Sequence, residues 1–144
     1  MEFKIRMKKR LLFINIIMPL ILGAIIYILY SPEVIFVRLI DMAVGVDLSA
    51  INIKSNGFKI IRFYLLDILW AYSLMFVLYF IVGNKTAIFK ILFISAVFST
   101  SLEILQRFNV MPGTFDIIDI LVEILAEIMA VIIIKKQFQE DAGI

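Results

Sequence analysis

Residues 11–30, LLFINIIMPLILGAIIYILY, run for 20 positions without a charged side chain. As an α-helix rising about 1.5 Å per residue, such a run crosses roughly 30 Å of hydrocarbon. Three further apolar runs follow, at about 63–82, 88–106 and 115–134. In lipid every backbone N–H and C=O must find an internal partner, which restricts runs like these to helices. The chain is 63% hydrophobic, against roughly 45–50% apolar usage in soluble domains. The expected fold is an all-α membrane protein with four transmembrane helices, forming one domain over residues 1–144. Its first partner is the lipid bilayer.

The 31–62 connection carries Glu33, Arg38, Asp41, Asp47, Lys54, Lys59 and Arg62 between apolar pieces. Within it EVIFVRLIDMAVGV has a helical pattern but is too short and too charged to span, which suggests an interfacial or re-entrant helix between the first and second spans. Ser55–Gly57 signals a turn, GNKTA is a short loop, and Pro112-Gly113 suits the centre of a type II turn, with Thr114 as the helix N-cap that follows. Lys135-Lys136 ends the fourth span.

Basic residues set the expected orientation. With the N-terminus in the cytoplasm, Lys4, Arg6, Lys8, Lys9, Arg10, Lys85, Lys90, Lys135 and Lys136 lie inside and Arg38, Lys54, Lys59, Arg62 and Arg107 outside, nine against five. The excess of Lys and Arg inside favours this topology in a plasma membrane, with both termini cytoplasmic. The first run is too long for a cleavable signal segment and SPEVIF offers no small-x-small site, so an uncleaved anchor is expected. Net charge is only +2 and concentrated near the N-terminus, which argues against nucleic acid as a partner. The absence of Cys and His removes thiol nucleophiles, disulfides, imidazole bases and the usual zinc sites.

Against this background, the stretch from Ser99 to Val131 is costly. Glu103, Gln106, Asp116, Asp119, Glu123 and Glu127 fall in or beside two apolar segments, and an acid at the centre of a membrane helix costs about 2.5–3.5 kcal/mol on insertion scales. The assigned topology brings Asp67 of the second span, Glu103, Gln106 and Arg107 of the third, and Asp116 and Asp119 of the fourth to the outer surface. Offsets of 0, 3, 7 and 11 from Asp116 keep Asp119, Glu123 and Glu127 on its face of the helix. Glu103 and Gln106, three apart, share another face. The expectation is a narrow acidic cleft, open to the outside and descending along the fourth helix, with Arg107 as the cation placed to offset it. Acids between helices also serve as simple interhelical hydrogen bonds, worth below about 1 kcal/mol; so many at one depth exceed that need. Trp70 and Tyr72 read as packing residues.

Glu103-Ile-Leu-Gln106, a turn, and then Gly113-Thr-Phe-Asp116-Ile-Ile-Asp119 opening an apolar helix resemble the VanZ-like membrane protein family, in which E-x-x-Q ends one helix and D-x-x-D starts the next. Leu66-Asp67-Ile-Leu-Trp70-Ala-Tyr72 is similar to that family's polar second helix. Where the family commonly carries Asn and then a small residue, this chain has Glu123 and Glu127. The family is named for a member associated with resistance to the glycopeptide teicoplanin. The resemblance thus implies antibiotic resistance and a role in the cell envelope, with a lipid-linked envelope precursor or a glycopeptide-related ligand as partner.

Three readings of the acids follow. In the first, the cleft engages a polar or lipid-linked envelope ligand through Asp67, Glu103, Gln106, Arg107, Asp116, Asp119, Glu123 and Glu127. In the second, the protein is a membrane hydrolase or transferase. Glu123 and Glu103 would then act as general acid and base, or Glu103, Asp116 and Asp119 would hold a divalent cation, Mg²⁺ or Ca²⁺; no other cofactor is implied. In the third, the ladder on the fourth helix carries protons or cations, which in so small a bundle calls for a homo-oligomer or other partners.

The absence of native cysteine makes the topology directly testable by labelling single cysteines in intact cells. Ser55→Cys and Asn109→Cys should react with a membrane-impermeant maleimide from outside, and Ala142→Cys only after permeabilisation. The reverse pattern would invert the assigned orientation.

Overall fold

The computed structural model describes residues 2–30, 39, 42–43, 45, 59–82, 88–111 and 114–139. Its helices are α1 (Glu2–Tyr30), α2 (Lys59–Val82), α3 (Ile88–Arg107) and α4 (Ile117–Ile134), the last continuing into a short π-helical turn, Lys135–Gln139. The described residues contain no strand. Three segments, Lys9–Ile28, Tyr64–Val82 and Ile88–Arg107, are long and apolar enough to cross a membrane. The fourth helix is as strongly apolar over its exposed faces but carries Asp119, Glu123 and Glu127. The interfacial or re-entrant helix expected in the 31–62 connection, the GNKTA loop and the Pro112-Gly113 turn lie outside the described residues.

Helix ends depart from expectation where polar residues favour helix. The Lys- and Arg-rich leader joins α1, and Lys59 to Arg62 join α2, because Lys, Arg and Ile extend an existing helix at little cost. At the far end Lys135-Lys136 does not stop the chain's winding. Phe138 is buried, with its ring 6.4 Å from that of Phe76 and 5.9 Å from that of Tyr79, and this burial holds the extra turn in place.

The helices alternate in direction, and α2 is the hub, packing against α1, α3 and α4. α1 attaches at a proline. Pro19 has no N–H to offer the carbonyls one turn back, and its ring crowds them. The Ser73 hydroxyl of α2 donates to the Ile16 carbonyl at 2.9 Å, and Tyr72 donates to the Asn15 side-chain oxygen. The Asn15 amide in turn donates to Leu11 O at 2.8 Å. Side-chain bonds from α2 thus gather at the turn of α1 that precedes the proline.

The bundle divides along its length. Around the N-terminal half of α1 lies an apolar core of Leu12, Ile16, Met75, Phe76, Ile91 and Ile134, joined by Tyr79, Ile88, Ala130, Val131 and Phe138. The buried acids lie towards the opposite end. Much of the outer surface is bare hydrocarbon: Ile81 is 71% exposed and Phe93 69%, a coverage that suits lipid rather than water.

Phe76 has no exposed surface. Phe76→Ala should therefore cost about 3–5 kcal/mol, whereas Phe93→Ala, facing outward, should stay within about 0.5 kcal/mol of the parent. Unfolding in detergent micelles measures both; equal losses would contradict the assigned core.

Candidate functional site

The site is built by two caps and three helix faces. α3 ends in a Schellman arrangement: Asn109 N–H bonds Gln106 O at 2.9 Å, Val110 N–H bonds Leu105 O at 3.0 Å, and Asn109 takes the left-handed conformation at φ 55°. The chain then re-enters helix at Asp116, whose carboxylate accepts from Ile118 N–H at 2.9 Å. Asp116, not Thr114, is the N-cap, so one of the expected ligand-facing acids is at least half committed to satisfying backbone.

From this cap, Asp119, Glu123 and Glu127 descend the inward face of α4 as their spacing predicts. Glu123 is 3% exposed and Glu127 fully enclosed. α3 answers with Ser95, Ser99 and Glu103, four residues apart and all buried. The Ser95 hydroxyl donates to Glu127 Oε1 at 2.7 Å and that of Ser99 to the same oxygen at 3.3 Å. Nearer the α3 terminus, Glu103 Oε1 accepts from the Gln106 side-chain amide at 3.2 Å, and its carboxylate lies beside the backbone of Asp116. The E-x-x-Q and D-x-x-D segments thus meet.

The third wall comes from α2. The carboxyls of Asp67 and Asp119 are near enough to interact directly across α2 and α4. One turn along, Trp70 Nε1 donates to Glu123 Oε1 at 3.1 Å, with the indole ring 6.2 Å from Phe98. Trp70 is therefore part of the polar site, contrary to its reading as a packing residue. Its spacing of three from Asp67 carried that signal, as the four-residue steps from Ser95 and Ser99 to Glu103 did for the serines.

Arg107 behaves otherwise than expected. Its guanidinium lies 5.2 Å from the centre of the Phe115 ring, and among the described residues it makes no ion pair with the acids. At the last turn of α3 it still complements the helix dipole, and no described basic side chain forms an ion pair with the cluster. Three enclosed carboxylate oxygens, Glu103 Oε2, Glu123 Oε2 and Glu127 Oε2, have no hydrogen-bond partner. Buried polar atoms are seldom left so, because each forfeits its hydration without replacement.

Among the described residues no group of three acids is arranged to hold a metal ion. A cavity of about 500 Å³ lies on the other side of Asp67 from the α4 ladder, between α1 and α2. Comparison with known proteins gives no matching family model, no matching curated protein and no matching solved structure.

The cap assignment has a direct consequence. Asp116→Ala should lower stability by about 1 kcal/mol, Asp116→Asn should retain most of it, and Thr114→Ala should be neutral in the same unfolding assay. A loss at Thr114 in place of Asp116 would restore the first assignment.

Proposed function

We propose that this is a multi-pass plasma-membrane protein of the cell envelope, with all four helices spanning and both termini cytoplasmic. Its acids at the outer end of the bundle engage a polar or lipid-linked ligand and reduce the action of glycopeptides such as teicoplanin. The observation that carries the reading is the set of enclosed, unpartnered oxygens on Glu103, Glu123 and Glu127, with no basic side chain among the described residues bonded to them. Acids that merely joined helices would have both oxygens satisfied, since an unmet buried acceptor costs about 1–3 kcal/mol. Gln106, Asp116 and Asp119 border the group, and Asp67 and Trp70 close it from α2. The envelope role rests on the VanZ-like pattern. The contacts among Glu103, Gln106 and Asp116 support treating that pattern as one unit.

A membrane hydrolase or transferase is the second reading. It is favoured by the Asp67–Asp119 pair, two interacting carboxyls from separate helices, an arrangement suited to acid and base roles when the environments of the two differ. The proton or cation pathway lacks a continuation among the described residues: past Glu127 the inward face of α4 presents Ala130, Val131 and Ile134 to the apolar core.

Expression in a glycopeptide-susceptible host tests the first reading. The wild-type chain should raise the inhibitory concentration of teicoplanin, and Glu103→Ala or Asp119→Ala should remove the rise at unchanged protein level, while Phe93→Ala keeps it. Full protection by both acid variants would overturn the reading.

A further inference from the structure

The acids are described above as approached from the outer surface, but the cavity beside them opens in another direction. It lies between α1 and α2 with a volume of about 500 Å³, within the roughly 300–1,000 Å³ of ordinary ligand sites. Pro19, Gly23, Ala24 and Leu66 supply its apolar walls, and Asp67 and Trp70 its polar margin. The space has a structural origin. Gly23 and Ala24 lack bulk where α1 faces α2, and a Cβ on Gly23 would come 3.7 Å from Leu66 Cδ2. Both helices are long and apolar enough to cross a membrane, so the groove faces hydrocarbon rather than solvent.

We infer that the groove between α1 and α2 takes the chain of a membrane lipid and presents that lipid's headgroup, an amine, to Asp67. Charge complementarity selects the amine. Asp67 stands among Asp119, Glu123 and Glu103, and no described basic side chain bonds any of them. A phosphate or pyrophosphate would meet the like charge of these acids, with no described basic side chain to offset it. A primary ammonium brings three donors and forms charge-assisted hydrogen bonds with carboxylates. Asp67 and Trp70 each face two ways: both border the groove, while Asp67 also neighbours Asp119 and Trp70 bonds Glu123. A headgroup arriving through the membrane would therefore contact the inner acid cluster through the α2 wall. The inference deepens the proposed function, resting on its claim that the acids receive a ligand, and names the ligand's class as an amino-headgroup lipid.

Trp70 is the sole tryptophan of the chain, which provides a local probe. The full-length protein is reconstituted in vesicles containing chain-brominated phosphatidylethanolamine, phosphatidylcholine or phosphatidylglycerol, and quenching of Trp70 fluorescence is read. The ethanolamine lipid should quench at a concentration about threefold lower than the other two, the scale of one partly exposed charge pair. Asp67→Asn should level the three lipids. Ala24→Leu, which fills the groove, should reduce quenching by all of them, and Leu20→Phe serves as a second filler should the first fail to fold. Equal quenching by the three lipids in wild type would overturn the amine assignment, and unchanged quenching in a folded filler variant would overturn occupancy of the groove. Headgroup-blind quenching in a protein whose acids prove essential for teicoplanin protection would sink this inference alone. An intact amine preference beside acid variants that keep full protection would uphold it and remove the functional reading.

Discussion

A carboxylate enclosed by apolar helices can remain only where its neighbours replace the water it has lost, and the arrangement of this bundle follows from that requirement. Glu127 is the strictest case. Fully enclosed, it draws two serine hydroxyls of α3 onto a single oxygen, which fixes the register between α3 and α4. With that register set, Glu103 falls beside the start of α4, next to the backbone of Asp116. Glu123 falls opposite α2, where the Trp70 indole N–H is the available donor. Glu123 and Glu127 are thus held by donors from other helices, and together they align three helices.

The apolar end of the bundle obeys a different rule. Around Met75, Phe76, Ile91 and Ile134 there is nothing to hydrogen-bond, and cohesion comes from close packing, which in lipid does not benefit from expulsion of water. The polar and apolar ends are therefore complementary: packing holds one end tightly, and oriented hydrogen bonds specify the other. The proline in α1 lies between the two regimes, where Ser73 and Tyr72 attach that helix to α2. Beyond that attachment the small residues of α1 leave the lateral groove, so an open groove adjoins the buried acids. That adjacency allows one amphiphilic molecule to meet both.

Much of this was legible in the chain before folding. Runs of about 20 apolar residues require helices in lipid, and a helix repeat of 3.6 residues places Asp119, Glu123 and Glu127 on one face whatever they touch. The convergence of Asp67 with Asp119 followed from alternating helix direction. Other features were not legible, because periodicity gives a face and not its occupant. Trp70 has the composition of a packing residue, and only the approach of α4 makes it a donor. Thr114 and Asp116 are both competent caps, and the backbone's point of entry into α4 chose between them. Arg107 lies near the acids along the chain, yet the end of α3 directs it over Phe115.

The sequence by itself determined the helices, their apolar faces and the line of acids on α4, because these depend on local repeat and on transfer from water to lipid. The tertiary structure decided which donors the acids receive, that Glu103, Glu123 and Glu127 each keep an oxygen without a partner among the described residues, and that a cavity opens beside Asp67 between α1 and α2. Those outcomes depend on how far apart two helices stand and how each is rotated about its axis. Both are set by many side chains at once, Gly23 and Ala24 as much as the acids themselves.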